Sequence, residues 1–294
     1  LLASLPDLAI DLIVTPLNHF LPILLSGKIF LTFTALLYGA GCVWLGRAIL
    51  GRRSWIAPFA ALTFYNSALL FGFLNYIFGI AVFLCAFAFW LQSRNRISWP
   101  RFVVLCLLSI VAYLSHLSSI AFLGVSCLTI ALLELPPHRS LTLLIRQLAW
   151  LLCPVLLMAA FMNRSGQVGA IEWSTLTQKF TFLFAPVRTY NLVFDAALLV
   201  VLLVCAFVIA KGARVHRTAV AGAVLFFLFL ITPNAIFNSS AADARYIMPA
   251  YLVLLLSVEP TCRRAQTCAI AVATLAMVVR TADIAVTWRT IDHR

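Results

Sequence analysis

Charge is scarce in this chain. Asp, Glu, Lys and Arg together make up 10% of the residues, against roughly 25% in a soluble domain. So little charge cannot coat a water-facing surface, which argues against an ordinary soluble enzyme. Acid is scarcer than base, nine residues against 21, and the net charge is +12. The excess does not point to nucleic acid, because a nucleic-acid binder gathers its charge on a solvated face with few apolar runs. The eight Cys show neither a CxxC pair nor a Cys/His ligand spacing, so no disulfide framework and no zinc site is read from them. Seven of them fall in apolar segments and Cys262 falls on a turn, as expected of small apolar residues. No internal repeat is evident, and no matched pair of Gly/Pro-broken segments marks an inverted-repeat transporter. Hydrophobic residues are what the chain has in excess, at 64%.

The few basic residues are not scattered. Thirteen fall into five clusters: Arg47/Arg52/Arg53, Arg94/Arg96/Arg101, Arg139/Arg146, Lys211/Arg214/Arg217 and Arg263/Arg264. Apolar runs of membrane-spanning character separate the clusters. Asp7, Asp11, Glu172, Asp195, Asp243, Asp283 and Asp292 lie in or beside the other set of loops, and Glu134 and Glu259 lie near the basic ones. Lys and Arg near helix ends hold loops in the cytoplasm and attract anionic headgroups. The pattern therefore predicts an all-α, polytopic transmembrane bundle in an inner membrane, with membrane lipids as its surroundings.

A spanning helix needs about 20 apolar residues. Ten crossings are expected, over 29–45, 55–74, 76–91, 102–114, 117–133, 143–162, 192–210, 219–231, 246–258 and 265–286. The stretch from Phe102 to Leu135 would be about 50 Å long as one helix, yet both its ends are basic. It must cross twice, and Ser115-His116 is the natural break. Residues 1–28 read as an outer-side juxtamembrane segment and 163–191 as a long outer loop. Residues 288–294 read as the start of a periplasmic tail, and both ends of the sequence read as periplasmic. The sequence starts at Leu1 without a secretory signal and stops soon after the last apolar run, so the expectation is a central piece of a longer protein.

Candidate site residues sit at the outer ends of apolar elements. Asp7 and Asp11 are four apart and would share a helix face. Two such carboxylates suit a divalent cation with a phosphate, or one could serve as a general base; an interfacial amphipathic helix whose acids face water is the plainer reading. Asp11, with the more apolar neighbours, is the better candidate of the two. Asn66 and Asn75 should point into the bundle, and with Tyr76 they serve as structural glue or as the lining of a cleft. Gly72 and Gly79 permit close helix contact. His116 either satisfies backbone groups freed by the helix break or handles a proton or phosphate. In the outer loop, Phe180, Phe182 and Phe184 suit a segment lying on the leaflet, with Arg188 the best phosphate partner. Asp243 suits a helix N-terminus. Arg245 opposes that dipole and calls for an acid such as Asp11, or a phosphate. Arg280 and Asp283, three apart, should pair with each other.

Several stretches carry a resemblance: LPDLAIDLIVTPL, GRAILGRR, YNSALLFGFLNYIFGIAVFLCAFAFWL, AYLSHLSSIAF and DARYIMPAYLVLLL. Together they resemble a largely uncharacterised family of bacterial polytopic inner-membrane proteins, similar in architecture to the GT-C glycosyltransferases. The resemblance covers most of the chain. It implies transfer of a sugar from a polyprenyl-phosphate donor on the periplasmic side, with a carboxylate in the first outer loop as base. Asp7 and Asp11 would fall late in that loop, and no DxD or Asp-Glu pair is present. A transporter or flippase would instead place ionisable residues at mid-bilayer, and a non-catalytic assembly protein would need no convergent polar cleft. The basic-cluster asymmetry predicts that Ser174, placed as a single cysteine in a Cys-free background, is labelled from the periplasm. Labelling only after the inner membrane is permeabilised would overturn the topology.

Overall fold

The computed structural model describes residues 7–135, 140–161, 171–235, 240–261 and 264–292. Arg139, Arg164, Cys262, Arg263 and the first part of the 163–191 loop lie outside the described residues. The helices are α1 (Ala9–Asn18), α2 (Ile23–Leu50), α3 (Ala57–Leu62), α4 (Ser67–Leu70), α5 (Leu74–Ser93), α6 (Trp99–Ser115), α7 (Leu117–Leu133), α8 (Ser140–Leu148), α9 (Leu152–Phe161), α10 (Leu176–Phe182), α11 (Leu192–Ala210), α12 (Ala219–Ile231), α13 (Ile247–Leu256) and α14 (Arg264–Asp292). A two-residue ladder joins β1 (Arg214–Val215) to β2 (Val258–Glu259). The fold is all-α. Among the described residues, five helical stretches are long and apolar enough to cross a membrane: Ile23–Leu50, Leu74–Ser93, Leu141–Ala160, Leu192–Ala210 and Arg264–Thr290. The other apolar helices are shorter.

α5 is the axis of the bundle. Nearly every one of its residues is buried, and it packs against α2, α6 and α7. Phe83, Phe87 and Trp90 stack along it at successive turns, with ring centroids 5.8 and 6.2 Å apart. Inside lipid the hydrophobic effect does not favour helix–helix contact, so close packing must. Gly41 admits Leu84 and Cys85 of α5, and Gly222 on α12 admits Leu254 and the Ala250 carbonyl of α13. By contrast, the lipid-like faces of α11 and α14 are largely exposed, and they meet each other through Cys205, Ala269 and Ala273.

The breaks have local causes. The expected hairpin is present, as α6 and α7, with extended His116 between them (φ −169°, ψ 133°). The His116 ring caps α7 by accepting the Ser118 N–H at 3.1 Å. The expected helix over 55–74 is not a continuous helix. α3 stops at Thr63, whose hydroxyl donates to the Ala60 carbonyl (2.6 Å) and pairs with Tyr38 (2.9 Å). Asn66 then turns extended and caps α4, and Gly72 takes φ +82° before α5. Hydrophobicity alone hid these polar stops. α2 runs longer than expected, from Pro22 as its cap to left-handed Gly51 (φ +68°), the usual glycine stop. The expected 143–162 helix is broken at 149–151, where the Gln147 carbonyl is taken by two indoles, Trp90 at 3.0 Å and Trp150 at 2.7 Å.

The two ends of the bundle differ in charge. At one end Glu134 accepts Arg94 (2.7 and 2.8 Å) and Arg217 (2.6 Å), and Arg52 pairs with Glu259. At the opposite end stand Asp7, Asn75, His116 and Arg245. A close contact between α5 and α7 lies beneath that end. A Cβ on Gly79 would collide with the Ser119 hydroxyl and lie 3.4 Å from His116 Cβ. Gly79→Ala is therefore expected to cost about 1–3 kcal/mol, read as a lower Tm in detergent, and Ser119→Gly should recover part of the loss. A Gly79→Ala protein as stable as wild type would contradict this packing.

Candidate functional site

Asn75, at the first turn of α5, holds the chain ahead of α1 in place. Its side-chain oxygen accepts the Ile10 N–H (2.9 Å), and its amide nitrogen donates to the Asp7 carbonyl (2.5 Å). The Leu8 N–H donates to the Leu114 carbonyl at the end of α6 (2.9 Å). Asp7 thereby sits before the helix with φ +82°, a left-handed conformation that Asp tolerates better than most residues. This corrects one expectation: Asp7 and Asp11 do not share a helix face, because only Asp11 is in α1. Asp11 points to an exposed face. Asp7 is the carboxylate that meets the other polar groups.

The Asp7 Oδ1 lies 3.5 Å from His116 Nε2. Because His116 Nδ1 accepts the Ser118 N–H, the neutral ring carries its proton on Nε2, facing Asp7. His116 belongs to neither flanking helix. Burial first, and Arg245 second, pull its pKa below the ordinary imidazole range. The contact is thus a neutral N–H facing a carboxylate, not an ion pair. Burial raises the pKa of half-exposed Asp7, and Arg245 opposes that rise. Tyr76 completes the group. Its ring meets that of His116 edge-on at 5.5 Å, and its hydroxyl donates to the Arg245 carbonyl at 2.7 Å.

Behind Tyr76 lies a cavity of about 110 Å³. Asn66, Tyr76, Phe182, Arg188, Ala241 and Arg245 are among its walls. Two guanidinium-bearing residues from distant segments therefore share one space. A larger, apolar cavity of about 380 Å³ adjoins it, lined by residues of α3, α11, α13 and α14. Met248 lines both cavities. The small cavity offers positive charge, the large one hydrocarbon, and Asp7 a partly desolvated base beside an N–H donor.

Asp243 stands at a helix N-terminus, as the sequence suggested, and caps it. It is fully buried. Its Oδ2 accepts Ser174 (2.6 Å) and Lys179 (3.0 Å), and its Oδ1 accepts the Ala244 N–H (2.8 Å). Lys179 also donates to the Phe229 and Thr232 carbonyls (2.7 and 3.1 Å). These bonds, with the Glu172–Ala235 bridge, latch the outer loop to the turn that carries Arg245. Asn66 caps α4 by accepting the Ala68 and Leu69 N–H groups, and donates to the Thr63 and Phe64 carbonyls. Arg280 does not form the expected hydrogen-bonded pair with Asp283; it donates to the carbonyls of Val187 (3.1 Å) and Arg188 (3.4 Å). The parts played by Lys179, Ser174 and Arg280 were missed in the sequence. An Arg deep in an apolar run was a usable signal for the last. Among the described residues, no three His, Cys, Asp or Glu gather as metal ligands.

Comparison with known proteins finds no matching family model, no similar curated protein and no similar solved structure.

The raised pKa of Asp7 has a consequence for stability. A carboxyl whose folded pKa lies above its unfolded value makes the fold less stable once it ionises. Asp7→Asn should therefore leave Tm unchanged or raised at pH 7. The gap from wild type should close as pH falls through the raised pKa toward the ordinary Asp value. A variant clearly less stable than wild type at pH 7 would show that the charge of Asp7 supports the fold instead.

Proposed function

We propose that this is an integral inner-membrane protein acting on a phosphate-bearing lipid at the outer end of its bundle. In this reading it is a GT-C-like glycosyltransferase that takes a sugar from a polyprenyl-phosphate donor. The observation that carries the reading is the pairing of two cavities across Met248. One has Arg188 and Arg245 on its walls, and the other is walled by apolar side chains. A lipid phosphate needs both kinds of surface: guanidinium for the head and hydrocarbon for the tail. Asp7 would take the proton of the acceptor hydroxyl as its oxygen bonds the sugar. The sugar–phosphate bond would break as Arg188 and Arg245 neutralise the departing phosphate. Positioning and charge stabilisation would supply most of the rate. The ionisable groups of the site stand at one end of the bundle instead of at its middle, which supports surface chemistry over passage through the membrane.

Arg245→Ala should weaken binding of decaprenyl phosphate in nanodiscs by about ten- to hundredfold, the worth of a charge-assisted contact of about 1.5–3 kcal/mol. Arg264→Ala is the control, because exposed Arg264 opens α14 among the basic-end charges. Equal losses for the two variants would reveal nonspecific attraction. No binding by wild type would remove the reading.

A further inference from the structure

Residues 185–188 form a partition between the two cavities. Ala185 and Arg188 line the small one, and Pro186 and Val187 line the large one. The partition is a run of turns that continues α10, with the Val187 and Arg188 N–H groups on the Phe184 carbonyl (3.0 and 2.9 Å), and further bonds tie it to the rest of the bundle. On one flank the Ser67 N–H donates to the Ala185 carbonyl (3.1 Å), and Tyr251 reaches the Leu183 carbonyl (3.3 Å). On the other flank two buried charges hold the next three residues. Arg280 of α14, with none of its surface exposed, donates to the carbonyls of Val187 and Arg188. Asp195 of α11, also buried, accepts both the backbone N–H and the hydroxyl of Thr189 at 2.7 Å. α11 and α14 pack on each other, so Asp195 and Arg280 hold the same stretch of chain from neighbouring helices.

Burying a guanidinium deep in an apolar helix is costly, and simple helix pairing needs no such residue. A guanidinium serving only to neutralise Asp195 would spend its donors on that carboxylate. Here the carboxylate oxygens go to Thr189 and the Arg280 donors go to the chain beside it. One Arg280 nitrogen, Nη1, is buried with no hydrogen-bond partner. We infer that Arg280 and Asp195 form a clamp that positions Arg188, so that the α11–α14 pair sets the affinity of the small cavity for an anionic headgroup. The inference rests on the proposed function for its ligand, though not for its geometry. Arg280 is a positioning residue in this scheme and acts through Arg188.

The test is a double-mutant cycle on the full chain in nanodiscs, with decaprenyl phosphate as the probe. Arg280→Met should weaken binding about five- to tenfold, less than loss of a direct charge-assisted contact. In an Arg188→Ala background the same change should cost nothing further, because the residue it positions is gone. Arg280→Lys, which keeps the charge and is the milder change if Arg280→Met folds poorly, should show a smaller loss with the same non-additivity. A spin label at position 188 gives a ligand-independent readout and should become more mobile in either Arg280 variant. Equal losses with and without Arg188, or an unchanged label, would overturn the clamp. If wild type fails to bind decaprenyl phosphate, the proposed function fails, and the mobility of the label alone decides the clamp.

Discussion

The buried carboxylate of Asp243 organises the end of the bundle that carries Arg188 and Arg245. A carboxylate in an apolar bundle is tolerable only if ionic and hydrogen-bonding partners surround it. Asp243 obtains them from three directions. Lys179 and Ser174 come from the outer loop, and the Ala244 N–H comes from the turn that leads into α13. Lys179 is itself completed by two carbonyls at the end of α12 and by the Phe229 ring, 5.0 Å away. The loop, the end of α12 and the start of α13 are thereby fixed to one another. Removing one partner of such a pair leaves a bare charge, a loss of about 3–5 kcal/mol. Arg188 and Arg245 stand on opposite sides of the latch in sequence and share a cavity because it is closed.

Charge is used differently at the two ends. At the basic end Glu134 bridges Arg94 and Arg217, and Arg52 meets Glu259 beside the β1–β2 ladder. These pairs hold loops against each other and line neither cavity. At the other end, Arg188 and Arg245 are among the residues that line a cavity, and a carboxyl is held in a partly dry setting. The first arrangement is what topology and loop closure require. The second exceeds what folding requires, which is why the functional reading rests there.

The sequence was most legible where length and polarity acted together. The α6–α7 hairpin followed from a stretch too long for one crossing and a Ser-His pair at its middle. α11 and α12 followed from uninterrupted hydrophobic runs. The region between α2 and α5 was illegible for the opposite reason: Thr63 and Asn66 end and restart helices by hydrogen bonds that hydropathy does not register. At the site, an N-terminal acid was expected for Arg245, but Asp11 was preferred to Asp7. That preference rested on neighbours in sequence. The position of Asp7 depends on Asn75, 68 residues away, and such a bond leaves no local trace. Arg280 and Asp283 suggested a pair by helical spacing, yet the Arg280 donors go to chain carbonyls nearly a hundred residues distant.

Backbone strain falls at the same end of the bundle as Asp7 and Arg245. Among the described residues, two that are not glycine have positive φ: Asp7 at +82° and Ala241 at +56°. Asp7 supplies the carboxylate facing His116, and Ala241 lines the small cavity with Arg188 and Arg245. Left-handed backbone is unfavourable for both, more so for Ala, and persists only where surrounding bonds over-determine it. Those bonds are present: Asn75 holds the Asp7 segment, and the Asp243 latch holds the turn that follows Ala241. A carboxyl with a raised pKa adds a further cost at neutral pH. A fold selected for stability alone would relieve these costs, since Asn at position 7 would carry no charge and would tolerate the same backbone. The strained Ala241 lies on the wall of the small cavity and the strained Asp7 lies beside His116, so both costs gather at the end of the bundle where the proposed site stands.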